Sequence, residues 1–328
     1  MTDEIGLCLR SMDLSAMDAV KIARMVEEIG FKSFWMTEEM SRASPPVLAL
    51  VASATTRIKI GTAILNIFAR TPMNTAMTAA TLQEISGNRF LLGLGVGGPD
   101  ITTRGHGVDF SNPVEKMAEY IEIVRKFLAA ERVSFQGRFY RVDGLRLWIK
   151  TSHPTPVYVA SLNPRMLMLA GTVADGIILN MFDPRADPYV EEWIKKGLLS
   201  SKNPSRNFTK YSFVLTAVSH NTECISAMKR AAAFYLSSKP YRTILKKAGY
   251  EELVEEFVKT IESEGRDKAA EKIGLDLLDN VGLFCDENVN DKLERYRRAG
   301  IVPLIYPQPR PGKEFQDIET IVGTFSAL

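Results

Sequence analysis

The feature that most constrains this chain is a repeated alternation of short apolar runs and amphipathic segments across most of its 328 residues. Short apolar runs bounded by turns read as strands buried on both faces, and apolar residues at helical spacing read as helices laid against them. Ile5–Leu9 is the first such strand. Ser15–Ile29 follows, with Met17, Val20, Ile22, Ala23, Val26 and Ile29 on one stripe and Gly30 to close it. Ser33–Met36 and Arg57–Ile60 read as the next strands, with helices over Pro45–Thr55 and Pro72–Ile85. Phe90–Leu94 is the fourth strand; after a polar loop, Asn112 and Pro113 open a long helix ending near Ala130. The rhythm resumes with strands at Pro156–Ala160, Asp175–Leu179, Ser212–Ser219 and Ile301–Tyr306. Helices at Pro164–Thr172, Asp187–Leu199, Asp286–Ala299 and Glu314–Phe325 separate or follow them. About eight such units predict a (β/α)8 barrel with insertions, and a doubly wound open sheet is the alternative. Residues 133–149 break the rhythm as a hairpin-like excursion. The helical stretch within 222–279 is too long for one crossover and reads as an insertion beside the barrel mouth. No Gly/Ser/Pro-rich linker divides the chain, so a single domain over 1–328 is expected.

Composition narrows the partners. A formal net charge of +2 gives no electrostatic footprint for nucleic acid. Cys8, Cys224 and Cys285 have neither CxxC nor metal-ligand spacing, and an odd count does not suit a disulfide framework. No signal-peptide pattern and no membrane-length apolar stretch is visible. A cytoplasmic protein acting on a small molecule is the expectation, with no metal, nucleic acid or membrane involved.

Gly87–Pro99, reading GNRFLLGLGVGGP, joins a buried strand to a run of glycines. In parallel α/β folds ligands bind at the carboxyl ends of strands, and glycines there let backbone approach a flat or anionic group. Gly93, Gly95 and Gly98 match G-x-G-x-x-G literally. Pro99 and a polar stretch follow where that motif needs a helix, so a dinucleotide site is not inferred. Farther on, Ser161 or Asn163 can cap a helix that Pro164 starts; free N–H groups there favour an anion, and Arg165 adds positive charge.

Three segments in order resemble the bacterial luciferase-like superfamily of flavin- and deazaflavin-dependent enzymes: RIKIGTAILN at Arg57–Asn66, NRFLLGLGVG at Asn88–Gly97, and PVYVASLNP at Pro156–Pro164 continued by AGTVADGIILN to Asn180. Within it, the chain is similar to the coenzyme F420-dependent branch, which includes methylene-tetrahydromethanopterin reductase. The resemblance implies a (β/α)8 barrel holding F420, with FMN as the alternative cofactor, and often a homodimer. It implies a non-prolyl cis bond at Ala63–Ile64 behind the deazaflavin ring. Asn66, Gly95 and Gly97 would lie near that ring. Ala160, Ser161, Leu162, Asn163 and Arg165 would take the phosphate end of the cofactor, with Asn180 lining the site.

The pattern also departs from the family. Relatives often carry Asp-His after the second strand, where this chain has Glu38-Glu39. Adjacent residues at a strand end point in different directions, so at most one of Glu38 and Glu39 faces the cofactor; a carboxyl in a partly apolar cavity serves as acid or base, and a helix cap or surface salt bridge is the other reading. Cys8 ends the first strand, where methylene-tetrahydromethanopterin reductases have Glu. It counts among the cofactor-side residues and reads as a small packed side chain, which weakens a pterin substrate. His106 is an alternative proton donor, and Arg42 an alternative partner for the coenzyme's acidic tail. Asp100, His153 and His220 carry no motif; Lys246, Lys247, Arg295, Arg297 and Arg298 read as solvated helix faces. The expected activity is hydride transfer between deazaflavin C5 and a small organic substrate, a methylene-tetrahydromethanopterin-like pterin, an alcohol or a carbonyl compound. The alternatives are an FMN-dependent monooxygenase and a non-catalytic deazaflavin or pterin binder.

Overall fold

A computed structural model describes residues 4–327. Eight parallel strands form its centre: β1 (Gly6–Leu9), β2 (Ser33–Met36), β3 (Lys59–Thr62), β4 (Phe90–Gly95), β5 (Val157–Ala160), β6 (Gly176–Leu179), β7 (Thr209–Ala217) and β8 (Ile301–Pro307). Each pairs in parallel with its successor, and β8 pairs with β1. The ring is therefore closed, which excludes the open doubly wound sheet. Parallel neighbours cannot be joined by tight turns, so a helix returns the chain between strands and covers the barrel's outside. The helix Ala16–Ile29 shows the local logic. Ser15 accepts the Asp18 N–H at its start, its buried stripe includes Ile22, Ala23 and Val26, and Gly30 ends it in the left-handed region.

Additions to the ring are few. Val133–Gln136 and Arg141–Leu145 form an antiparallel hairpin. A short strand, Gly282–Phe284, pairs with the upper part of β7, beyond the residues that pair with β6. Between β7 and that strand lie five helices, Thr222–Leu236, Lys239–Lys247, Glu251–Glu264, Arg266–Glu271 and Leu275–Val281. Among the described residues no helix is long and apolar enough to cross a membrane.

Inside the barrel, alternate residues share a face. Trp35 on β2, Tyr158 on β5 and Tyr211 on β7 meet with ring centroids 4.9–5.8 Å apart, making an aromatic floor. Gly61 faces them: a Cβ there would lie 2.3 Å from the Trp35 ring. Residues two positions farther along these strands therefore point into the space above the floor, at the carboxyl mouth.

The ladder between β3 and β4 breaks at this level. Ile60 and Gly61 pair with Phe90 and Leu91, and pairing resumes only at Leu65 and Asn66 with Leu94 and Gly95. The chain bulges between, and the Ala63–Ile64 peptide within the bulge is cis. The Thr62 side chain replaces the missing ladder bonds. Its buried hydroxyl accepts the Gly93 N–H at 3.0 Å and donates to the Gly93 carbonyl at 2.9 Å. Thr62→Val keeps the shape and removes both bonds, leaving a buried donor and acceptor unpaired, which costs about 2–3 kcal/mol. Chemical denaturation should show that loss as a lower midpoint with unchanged slope; an unchanged midpoint would refute the bridge.

Candidate active site

The bulge explains the glycines of β4 and of the loop after it. A Cβ on Gly93 would sit 1.9 Å from the Thr62 carbonyl oxygen, one on Gly95 2.5 Å from the Ile64 side chain, and one on Gly97 2.7 Å from the Asn66 amide. All three glycines admit the bulged segment that covers them. Asn66 is buried and tied down: its Oδ1 accepts the Phe68 N–H at 2.9 Å and its amide donates to Thr102 at 3.4 Å. The outcome is a wall over β3–β4 built from Ala63, Ile64 and Asn66 rather than from bare glycine backbone.

The next wall comes from β5 and β6. Ala160 ends β5 beside Gly95. Ser161 and Leu162 are buried, and Asn163 caps the helix Pro164–Val173 by accepting the Met166 N–H at 3.1 Å. The Ser161 hydroxyl is buried with no hydrogen-bond partner among the described residues. A buried hydroxyl without a partner costs free energy, so an unpaired one next to a helix N-terminus suits a polar ligand group. Arg165, on the first turn of that helix, has its exposed guanidinium ion-paired with Glu115. Asn180, two residues beyond the inward Ile178, keeps its Oδ1 on the Met181 N–H and turns its amide to the Tyr241 hydroxyl at 3.4 Å.

The opposite half of the mouth is polar and titratable. The adjacent acids after β2 part company there. Glu38 turns away, accepting both Arg70 guanidinium nitrogens at 2.5 and 2.8 Å and the Ser44 N–H at 3.2 Å. Glu39 lies in the bend after β2, near Arg10, Asp13 and Cys8. Water reaches it, yet protein surrounds its carboxyl, as for a group in a concavity. Burial raises its pKa, Asp13 adds to the rise, and Arg10 and Thr37 oppose it. Arg10 is held by Asp13 through two contacts of 2.8 and 2.9 Å. Cys8, fully buried beneath, has its thiol pushed well up by burial and then by Glu39 and Asp13.

The other candidates read from the sequence are exposed or already paired. His106 is exposed at the end of a π-turn over Ile101–Gly105, and Asp100 precedes that turn. Arg42 donates to the Ser11 carbonyl. Lys246 pairs with Glu251 and Glu255, Arg298 with Glu294, and Arg295 with Asn280 and the Asp279 carbonyl. His220 stacks on Phe284 among Asp279, Asp286 and Glu287, with Lys292 in the same cluster. A hollow of 370 Å³ lined by Thr222, Glu223, Arg230, Arg310 and Lys313 shares no residue with the mouth. Sequence reasoning missed Tyr235, Tyr241 and Tyr306, which gather near the carboxyl ends of β6 and β8, Tyr241 bonded to Asn180 and Tyr235 to Tyr306; no motif marks them.

Comparison with known proteins agrees with this architecture. The profile of the luciferase-like monooxygenase family matches residues 8–302. A protein of Mycobacterium tuberculosis named as a coenzyme F420-dependent oxidoreductase is 28% identical over 87% of this chain and 89% of its own length. The 5,10-methylenetetrahydromethanopterin reductase of Archaeoglobus fulgidus is 24% identical over 90% of this chain and 91% of its own. In three dimensions, the coenzyme F420-dependent tetrahydromethanopterin reductase of Methanopyrus kandleri superposes with a TM-score of 0.81 over 97% of both chains, at 23% identity. The closed barrel, the bulge after its third strand and the family profile over most of the chain lead to one assignment: this protein belongs to the luciferase-like monooxygenase family.

Proposed function

We propose that the protein is a coenzyme F420-dependent oxidoreductase that moves a hydride between the deazaflavin and a small organic substrate. The observation that carries this reading is the unpartnered Ser161 hydroxyl, buried at a capped helix start on the wall next to the bulge. It meets the needs of a cofactor with a phosphate arm, and the relatives named above point to F420 as that cofactor. Ala63, Ile64 and Asn66 would back the ring, with Gly95 and Gly97 beneath them; Ser161, Leu162 and Asn163 would hold the phosphate end, beside Ala160, and Asn180 would close the site. When bound, a deazaflavin supplies two-electron hydride chemistry, having carbon where a flavin has N5.

The chain's own contribution is a proton. Glu39 sits in the half of the mouth facing that wall, with a pKa raised by burial. A raised pKa keeps the carboxyl protonated nearer neutrality, so it can protonate a substrate oxygen as hydride arrives, and accept the proton back in the reverse direction. Glu38 is committed to Arg70 and Ser44 and takes no part. Cys8, a buried neutral thiol, packs under Glu39.

Titrating the purified protein with F420 and with FMN, followed by ligand fluorescence, tests the reading. Tight F420 and weak FMN binding is the expected result. Preference for FMN would favour an oxygen-dependent monooxygenase, and binding of neither would remove the cofactor assignment. In the same titration, Ser161→Ala should weaken F420 binding about tenfold, the worth of one hydrogen bond to a charged group. It should leave thermal stability unchanged, because the hydroxyl has no partner to lose.

A further inference from the structure

Where the helical insertion returns to the barrel, an imidazole meets three carboxylates. His220 follows β7, Asp279 lies on the helix Leu275–Val281, and Asp286 and Glu287 follow the short strand Gly282–Phe284. Asp286 grips His220 twice, accepting its backbone N–H at 2.9 Å and meeting its ring Nδ1 at 2.9 Å. A carboxylate can only accept, so Nδ1 carries the proton, and in the neutral ring Nε2 presents a lone pair. Stacking on Phe284, with centroids 3.9 Å apart, holds the plane of the ring. Nε2 then faces two more acceptors, 3.2 Å from Glu287 Oε1 and 3.7 Å from Asp279 Oδ1. One ligand atom from each of His220, Asp279 and Glu287 lies within 4.8 Å of the other two. Among the described residues, Asp279 Oδ1 and Glu287 Oε2 are shut off from solvent without a hydrogen bond. Buried charged oxygens are costly unless paired. Lys292 does not suffice for both: its Nζ lies 3.0 Å from Glu287 Oε2 but 3.9 Å from Asp279 Oδ1, and it brings one charge to three carboxylates. Either a second proton on the ring or a metal ion must lie among these atoms. The separations suit the ion, since ligand atoms around a tetrahedral zinc are about 3.3 Å apart. A carboxylate on the far ring nitrogen is also what orients a metal-ligating histidine. With 66 residues between His220 and Asp286, the sequence shows no ligand spacing to read.

We infer that His220 Nε2, Asp279 and Glu287 bind one divalent transition-metal ion, with Asp286 holding the imidazole in place. One imidazole nitrogen and two carboxylates favour zinc over magnesium or calcium, which take oxygen shells. The three ligating side chains are each about a third exposed, so water completes the shell. The ion joins the loop after β7, the last helix of the insertion and the turn after the short strand. Its work is to pin the insertion to the barrel, and Lys292 is a built-in competitor that it displaces toward solvent. The site shares no residue with Glu39 or the Ser161 wall, and the inference stands whether or not the protein binds F420.

The test is titration of the full chain with zinc, after chelator treatment and dialysis, followed by calorimetry and thermal melting. Wild type should bind a single zinc ion with micromolar or tighter affinity, far ahead of magnesium. At a hundredfold excess of free zinc over Kd, Tm should rise by roughly 5 °C. His220→Gln and Asp279→Asn should each lose about tenfold or more in affinity, together with most of the Tm gain, and Asp286→Asn about tenfold. Lys292→Met should gain about tenfold in zinc affinity by removing the competing charge, a change that damaged folding does not produce. Cobalt in place of zinc should give no thiolate-to-metal charge-transfer band, which separates this site from Cys224 and Cys285. Absence of saturable zinc binding would overturn the inference and leave a doubly protonated His220 as the second cation of the cluster. Unchanged zinc affinity in His220→Gln, or a thiolate band with cobalt, would overturn it equally, by placing the ion elsewhere.

Discussion

Glu39→Gln should lower turnover by about a hundredfold or more while sparing F420 binding, since positioned acid–base groups contribute roughly 10²–10⁴ in rate. Glutamine keeps the size and the hydrogen bonds of the site and removes only the transferable proton. Glu38→Gln should do the reverse. It leaves turnover within a few-fold and destabilises the fold by about 2–3 kcal/mol, because Arg70 and the Ser44 amide lose their charged acceptor. The reducing rate of the wild type should be full at low pH and fall as pH rises through the raised Glu39 pKa; the oxidising direction shows the opposite limb. The same group bears on stability. Its folded pKa lies above its unfolded value, so more protons are bound in the folded state between the two, and stability falls as pH rises across that window. Glu39→Gln should therefore raise Tm above the window and leave it unchanged below. Two Tm measurements on either side of it, together with steady-state rates, check all of this. A Glu39→Gln enzyme with wild-type turnover would remove Glu39 as the acid and reopen the case for a non-catalytic binder.

Gly93→Ala should be the most damaging single methyl in the barrel. Its Cβ would lie 1.9 Å from the Thr62 carbonyl oxygen and 3.0 Å from the Ile178 side chain. The first neighbour is backbone and cannot rotate away. β3 and β4 would have to separate at the level of the bulge, breaking the two Thr62 bonds as well. Overpacking of a tight core costs about 1–3 kcal/mol, and the added loss of both bonds takes this change to about 4 kcal/mol or more. Expression should fall or Tm drop by many degrees. Gly98→Ala is the control: no atom lies within 4 Å of its added Cβ, and stability should stay within about 0.5 kcal/mol of wild type. Equal stability of the two variants would refute the packing role of Gly93.

Much of the barrel was legible because each β/α unit declares itself locally, as an apolar run followed by a stripe at helical spacing. Closure was not, since nothing local in Ile301–Tyr306 says that it pairs with Gly6 and Leu7. The site was legible at its edges only. Asn163 as a cap is a local matter and needs three residues to see. The choice between Glu38 and Glu39 was hidden because both lie beyond β2, where strand alternation no longer applies, and the Arg70 that holds Glu38 is 32 residues away. Arg165 seemed free because Glu115 lies fifty residues away in sequence. The glycines of β4 looked like a ligand cradle because the segment that fills them comes from another strand. Tyr235 and Tyr306 are 71 residues apart and sit in unremarkable surroundings, where only the folded barrel brings their hydroxyls together.

The cysteines carry a practical consequence. Cys8 and Cys224 are buried, and the half-buried Cys285 has its thiol raised to about 11. Alkylating reagents attack the thiolate and need access to it, and the folded chain offers them little of either. Every thiol becomes reactive once the surrounding packing opens. Rapid labelling with iodoacetamide followed by mass spectrometry would thus count opened molecules, with Cys8 timing the loosening of the barrel's first strand and Cys224 that of the helix bearing Tyr235. The native chain is its own clock for the order in which its parts come undone.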